Sequence, residues 1–400
     1  MALVTPPKRA TRNVLLLTAA LALSMTGIAT LATVSALAGQ MLAADKRLAT
    51  LPLALQFTMI MISTVPASLL MRRIGRRAGF LLGQMIGIMA AGLSALGIIL
   101  ESFWLFAAAG GLVGVHMAVA QYYRFAAAET ASETFKARAI SWVMAGGVVA
   151  AICGPEIAKF THDLVPGGLY AGAFIAIAAL CMVAMAIVSF LDMPRPAADR
   201  EPGSGRPLGV IARQPAFIVA VLAAMLGWGV MNLVMTATPL AMHAHAHSFP
   251  DTAFVIQWHI LGMYAPSFFT GDLIRRFGIV PILIAGAILN LVAVAINLGG
   301  TSVVHFWVAM FAIGIGWNFL FVGGTTLLTE TYRSEERAKT QGFNDFLVFA
   351  TTTVSSFSSG ALQYALGWEA VNLGAVLPMI AVLAAALWLA TERRDRAPAE

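Results

Sequence analysis

Four side chains in two neighbouring apolar segments could together bind a soft metal ion. Met231 and Met235 lie four residues apart in the first segment. His259 and Met263 have the same spacing in the second segment. On a helix, residues at this spacing lie one above the other on the same face. Thioether sulfur and imidazole nitrogen are soft to borderline ligands, so the four side chains predict a copper site.

The predicted depths of the two pairs agree. If the connecting loop covers about residues 243–251, Met235 and His259 each lie about seven residues inside their helices, and Met231 and Met263 lie about eleven residues inside. With a rise of about 1.5 Å per residue, two antiparallel helices would carry the pairs in two layers at matching depth.

The loop that joins the two segments contains a second group of possible metal ligands. This group consists of Met242, His243, His245 and His247. A short His-rich tract can capture a metal ion before it moves inward. The alternative is a solvated loop that happens to contain histidine.

The elements that must position these residues are membrane-spanning helices. The chain has 400 residues, of which 59% are hydrophobic and 11% are charged. A soluble domain is closer to half apolar and a quarter charged, and spanning helices need apolar stretches of about 20 residues. We therefore predict an all-α integral membrane protein with about twelve transmembrane helices. These helices are expected to start near Val14, Thr50, Gly79, Ser102, Ala139, Leu169, Pro215, Thr252, Ile279, Val303, Gly342 and Ala370.

The distribution of Lys and Arg predicts the orientation in the membrane. With a cytoplasmic N-terminus, 22 of the 25 basic residues fall in cytoplasmic segments, and the exceptions are Lys46, Arg47 and Lys159. Cytoplasmic loops carry this excess in multi-pass proteins. The net charge of +6 is thus a topology signal, and we expect the lipid bilayer rather than nucleic acid as a partner. Both termini are predicted to be cytoplasmic.

The chain consists of two similar halves. A segment rich in Pro, Gly and Arg at 192–214 is the predicted cytoplasmic central loop, and it separates a six-helix half, 1–191, from a second half, 215–400, that carries the predicted metal site. The sequence LMRRIG at 70–75 recurs as LIRRFG at 273–278. Parallel halves with a binding site near the membrane midplane are typical of secondary transporters.

The loop after the second span resembles the signature of the major facilitator superfamily, Gly-x-Leu-Ala-Asp-Arg-x-Gly-Arg-Arg. Leu70, Arg73, Gly75, Arg76 and Arg77 match this pattern, while Ser68 and Arg72 depart from it. The resemblance covers the whole chain and implies the fold of that superfamily.

A narrower resemblance concerns the two metal-ligand pairs. The segments 229–239 and 257–266 are similar to those of the CcoA-type permeases, which are bacterial copper importers that supply cbb3-type cytochrome oxidase assembly. Their MxxxM and HxxxM motifs map onto the four predicted ligands. The resemblance implies a secondary transporter that imports copper across the inner membrane by alternating access. Copper would be the substrate, no cofactor is expected, and cytosolic copper carriers would withdraw the ion.

Two alternatives remain open. The same subfamily contains riboflavin transporters, so the chain could carry an organic solute, and the Met and His pairs would then be packing residues. It could also be a membrane sensor or assembly factor that binds metal without moving it. The chain contains no nucleotide-binding loop of the GxxxxGK[ST] type and no catalytic constellation, and we predict that it is not an enzyme.

Five further residues are candidates for coupling or gating. Glu156 and Lys159 lie three residues apart in the fifth span, where they could form a proton-linked gate or pair with each other. Asp345 is expected at the start of the eleventh span, as a helix cap or an inner gate. Arg73 and Arg276 occupy the repeated loops.

Overall fold

The protein is an all-α membrane protein, as the sequence predicts. The computed structural model describes residues 7–123, 126–127, 136–193 and 205–395. All regular secondary structure in these ranges is helical. Among the described residues, nine helical segments are long and apolar enough to cross a membrane.

The first of two compact units comprises residues 1–198 together with 252–257. Its helices are α1 (Pro7–Leu42), α2 (Leu51–Ile74), α3 (Arg76–Ile99), α4 (Phe103–Ala120), α5 (Lys136–Thr161) and α6 (Ala171–Ser189). Helix α1 packs against α5 and α6, α2 packs against α4, and α3 packs against α4 and α6.

The second unit comprises residues 199–251 and 258–400. Its helices are α7 (Pro215–Ala244), α8 (Phe249–Tyr264), α9 (Ser267–Phe277), α10 (Ile279–Gly299), α11 (Val303–Thr329) and α12 (Arg337–Asp395), of which α8 also supplies 252–257 to the first unit. Helix α7 packs against α11 and α12, and α10 packs against the same two helices.

Two helices of the second unit are interrupted. In α12, Gly367 has a φ of 82°, which divides the helix into legs at 337–366 and 368–395. The predicted eighth span is not a single helix, because α8 ends at Tyr264 and α9 begins at Ser267. Pro266 lies between them, and proline cannot donate the backbone hydrogen bond that a continuous helix requires.

The repeated loops of the sequence form the same turn in both units. Gly75 has a φ of 92°, and its N–H donates to the carbonyl of Met71. Gly278 has a φ of 89°, and its N–H donates to the carbonyl of Ile274. A positive φ just after a helix is a conformation that glycine adopts without steric cost. The repeat seen in the sequence is therefore a repeat of backbone conformation.

A close helix contact is also repeated. A Cβ atom placed on Gly114 of α4 would lie 2.1 Å from the carbonyl oxygen of Gln56 in α2. A Cβ atom placed on Gly314 of α11 would lie 2.4 Å from the carbonyl oxygen of His259 in α8. Only glycine allows backbones to approach this closely. Gln56 and His259 thus occupy corresponding positions in the two units.

A buried acid anchors the end of the central loop to the second unit. The side chain of Glu336 is fully buried, and its Oε2 atom lies 2.7 Å from the guanidinium of Arg206. It also accepts hydrogen bonds from the backbone N–H groups of Arg206, at 2.7 Å, and Arg333, at 2.9 Å. Lys339 donates to the carbonyl of Arg206, and the guanidinium of Arg206 donates to the carbonyl of Thr331 at 3.0 Å.

These hydrogen bonds stabilise the charged form of Glu336. The side-chain hydrogen bond from Arg206 and the backbone N–H of Arg333 hold the pKa of this carboxyl group far below its ordinary value of 4.5, against the opposing effect of burial. A lowered pKa in the folded state means that the pair stabilises the fold above pH 4.5 and that this stabilisation is lost as the pH falls towards the folded-state pKa.

We predict that Glu336→Gln lowers the unfolding temperature at neutral pH by several degrees, because Arg206 then keeps only neutral partners. The difference from the wild type should shrink as the pH is lowered below 4.5, since the carboxyl group of the unfolded wild-type chain then takes up a proton while that of the folded chain stays charged. The exposed neighbour Glu335 supplies the control variant Glu335→Gln. Thermal unfolding in detergent measures the effect, and equal losses in the two variants would contradict the assignment.

Candidate functional site

His259 is the best-defined member of the predicted copper site. Its side chain is fully buried, and its Nδ1 atom lies 2.8 Å from the carbonyl oxygen of Met310 in α11. Because a carbonyl can only accept, Nδ1 carries the proton and Nε2 carries the lone pair. This Nε2 atom is buried and has no hydrogen-bond partner among the described residues.

Met263, one turn further along α8, lies where the eighth span is interrupted. Its side chain is buried, and its carbonyl oxygen accepts a hydrogen bond of 2.7 Å from Asn318 of α11. Asn318 also donates to Ser267 at 2.6 Å and accepts from Thr270 at 2.6 Å. A helix end leaves carbonyl groups without partners, and Asn318 satisfies one of them. This asparagine is a structural residue that the sequence analysis did not identify.

The two methionines of α7 lie at depths along their helix that match the depths of His259 and Met263 along α8. Met231 is 2% exposed and Met235 is half-buried. Met235 lies nine residues before the end of α7, and His259 lies ten residues after the start of α8. The described hydrogen bonds of His259 and Met263 lead to α11. The copper site with four ligands stays a prediction.

Met310 of α11 accepts hydrogen bonds from both α7 and α8. Its carbonyl accepts from His259, and its sulfur accepts a hydrogen bond of 3.2 Å from Thr238 of α7. The sequence offers no signal for this role, because Met310 is one methionine in a long apolar span.

In the loop between α7 and α8, two of the predicted capture histidines bond to backbone carbonyls. His245 Nδ1 lies 2.8 Å from the carbonyl of Ala241, and His247 Nε2 lies 2.7 Å from the carbonyl of Thr301. Both rings also approach Phe306, at 6.3 and 5.8 Å.

The other two capture candidates lie in the last turn of α7, which ends at Ala244, so their predicted place in the loop is wrong. His243 is exposed there, whereas Met242 is fully buried. Within the part of the chain that the structure describes, no group of three or more His, Cys, Asp or Glu side chains is placed to hold a metal ion. Capture by this loop stays a prediction.

The coupling candidates lie in three different settings. Lys159 and Glu156 form an ion pair of 2.7 Å, and about a third of each side chain is exposed. Asp345 lies eight residues after the start of α12, so its predicted role as a cap is wrong. Its Oδ1 atom accepts a hydrogen bond of 3.1 Å from Asn344. Arg73 and Arg276 are exposed near the ends of α2 and α9, and their gating role stays a prediction.

An aromatic cluster, which the sequence analysis did not identify, lies in the second unit. Trp317 and Phe321 of α11 are stacked, with centroids 5.1 Å apart and planes 8° apart. The ring of Trp228 in α7 meets both at 5.0 Å and nearly at right angles, and Phe349 of α12 lies 6.3 Å from Trp228. These four residues are called the aromatic cluster below. Such a cluster can stack against a planar ring.

The cluster lies at mid-depth in the helices. Trp228 is near the middle of the 30-residue α7, and Trp317 is near the middle of the 27-residue α11. Trp317 is 3% exposed, whereas Trp228, Phe321 and Phe349 are half-buried. Binding sites of secondary transporters lie near the membrane midplane, where the centres of spanning helices also lie.

Comparison with known proteins identifies one family and several relatives. The family model of the Major Facilitator Superfamily matches residues 15–296 and 231–400. The riboflavin transporter RfnT of Brucella anthropi is 42% identical over 382 residues, covering 95% of this chain and 96% of that protein. Two Bacillus subtilis proteins, the uncharacterized MFS-type transporters YdeG and YddS, are each 30% identical over 89% and 88% of this chain, covering 87% and 84% of their own lengths.

We predict that the ion pair in α5 has a modest structural role. Glu156→Gln should lower stability by roughly 0.5 kcal/mol, because Lys159 loses its charged partner in a partly exposed setting. The double variant Glu156→Gln/Lys159→Gln should recover most of this loss. Thermal unfolding of the variants measures the coupling. If Glu156→Gln instead removes the response of uptake to an imposed pH gradient with unchanged stability, Glu156 is a proton gate.

Proposed function

Because this chain belongs to the major facilitator superfamily, we propose that it is a secondary transporter that carries riboflavin, or a solute with the same planar ring system, across the bacterial inner membrane. The observation that carries this proposal is the 42% identity to a riboflavin transporter, which extends over 95% of the chain. This makes the organic solute, and not copper, the better supported substrate.

The aromatic cluster supports an organic solute on physical grounds. Aromatic side chains with a few polar groups are typical linings of small-molecule sites. Trp228, Phe321 and Phe349 are half-buried, so part of each ring is accessible. A flat hydrophobic ring can exchange water for these rings without the desolvation cost of a charged group.

Copper import is a second candidate, because one observation favours it. The buried Nε2 atom of His259 has a lone pair and no partner among the described residues, and imidazole is a good copper ligand. Met263 follows one turn later on α8. None of the named relatives is described as a copper transporter. All three carry transporter names, which supports transport rather than a sensor or assembly role.

Inward transport and cytoplasmic termini belong to the same proposal. The orientation rests on the Lys and Arg distribution, with 22 of 25 basic residues in the segments assigned to the cytoplasm. Import by alternating access is inferred from the resemblance to bacterial permeases.

We predict that the purified protein in liposomes accumulates labelled riboflavin in a saturable way and does not accumulate labelled copper above the level of protein-free liposomes. Both tracers are measured in the same preparation, so that one batch of folded protein serves both assays. Accumulation of copper without riboflavin would overturn the proposal and establish the second candidate.

A substitution in the methionine pair of α7 distinguishes riboflavin from copper as the substrate in a second, independent way. We predict that Met231→Leu keeps riboflavin uptake within about twofold of the wild type, because leucine preserves the apolar bulk of this buried side chain. If the pairs bind copper instead, Met231→Leu and His259→Ala should each abolish copper accumulation at unchanged protein levels. Uptake assays with immunoblots of the membrane fraction distinguish these results.

A further inference from the structure

We propose that the aromatic cluster is the ring-binding site of this transporter, with Trp228 as the stacking platform and the indole N–H of Trp317 as the hydrogen-bond donor to a ring carbonyl. The proposal rests on the proposed function and deepens it, since it names the part of the solute that is recognised. The ligand class is an uncharged, planar, multi-ring compound with carbonyl acceptors.

The position of Trp228 is fixed by its two neighbours in the chain. A Cβ atom on Gly227 would lie 3.0 Å from Leu320 of α11, and a Cβ atom on Gly229 would lie 2.7 Å from Thr351 of α12. Helix α7 therefore approaches both helices closely on either side of Trp228. The large indole is consequently held where α7, α11 and α12 meet.

Trp228 is the more accessible tryptophan of the aromatic cluster, and Trp317 is the buried one. The stacked pair of Trp317 and Phe321 forms a flat surface, and Trp228 stands against it at 79° and 77°. Trp317 is 3% exposed, while Trp228 is half-buried. A planar ligand can therefore stack on the accessible part of Trp228 while its edge approaches Trp317.

The second observation that supports the ring-binding site is the buried indole nitrogen of Trp317. Trp317 Nε1 is buried and has no hydrogen-bond partner among the described residues. Buried donors are nearly always paired in folded proteins, so an unpaired donor in an aromatic site requires an explanation. A carbonyl group at the edge of a bound ring would supply the missing acceptor.

The chemistry of the aromatic cluster indicates which part of riboflavin it binds. Its four members are uncharged, and they offer large apolar faces and two indole N–H donors, of which that of Trp317 is buried without a partner among the described residues. The isoalloxazine ring is flat and carries two carbonyl groups, whereas the ribityl chain is flexible and rich in hydroxyl groups. Recognition at this site is therefore recognition of the ring. Lumichrome, which keeps a tricyclic ring and lacks the chain, should compete with riboflavin, and ribitol should not.

The test uses the full-length protein in detergent for binding and in liposomes for transport. Trp228→Leu should raise the Kd for riboflavin and for lumichrome by about tenfold or more, because a stacking surface is removed. Trp317→Phe should raise both Kd values by about fivefold, because it keeps a ring and removes the N–H donor. Flavin fluorescence provides a specific readout, since stacking on Trp228 quenches it and Trp228→Leu should restore it in the bound state.

The matched control is Trp258→Leu. Trp258 belongs to a separate aromatic group of the second unit, where it lies 5.7 Å from Trp307 and 5.7 Å from Phe311. This variant should bind both ligands like the wild type. If Trp228→Leu does not fold, as judged by gel filtration, Trp228→Phe and Trp317→Phe still test the proposal, with a partial loss expected for each.

The outcomes separate this proposal from the proposed function. If the wild type transports riboflavin and the cluster variants bind it normally, or if ribitol competes as well as lumichrome, the ring-binding site is wrong and the function stands. If the wild type neither binds nor transports riboflavin, the function fails and the site assignment falls with it. Equal losses in Trp228→Leu and Trp258→Leu would also overturn the assignment.

Discussion

Close backbone contact through glycine is the constraint on which this structure depends. Lipid is as apolar as a leucine side chain, so helices in a membrane gain little from burying apolar surface and rely on tight packing. Gly314 brings α11 against the carbonyl of His259, and Gly114 makes the same contact in the first unit. Trp317 and Asn318 follow on the next turn of α11, so the aromatic cluster and the support of the interrupted span are both positioned by this contact.

Buried polar side chains join the helices of the second unit, and several buried polar atoms, Asn232 Oδ1 among them, have no hydrogen-bond partner among the described residues. Asn232 of α7 donates to Ser355 and Ser356 of α12, at 3.0 and 2.7 Å. Asn318 joins α11 to both parts of the eighth span. An unused polar atom in an apolar interior carries a free-energy cost, and a ligand can remove it. Trp317 Nε1 and His259 Nε2 are two such atoms, and they correspond to the two candidate substrates.

Much of the fold could be predicted from sequence, because hydropathy and repeats are local signals. Helices α7, α10 and α11 begin at the predicted residues Pro215, Ile279 and Val303. The site could be predicted only in part. His259 was recognised by its spacing, but its partner is a backbone carbonyl 51 residues away, and a carbonyl has no sequence signature. The aromatic cluster requires knowledge that α7, α11 and α12 meet, which spacing along one helix cannot provide.

The interruption at Pro266 also bears on how the chain enters the membrane during synthesis. A bilayer core of about 30 Å needs about 20 helical residues. Helix α8 has 16 residues and α9 has 11, and α9 carries Asp272, Arg275 and Arg276. Neither helix alone has that length, so a crossing at this position needs both. We expect the retention of this span in the membrane to depend on the later packing of α11, because Asn318 of α11 binds both parts.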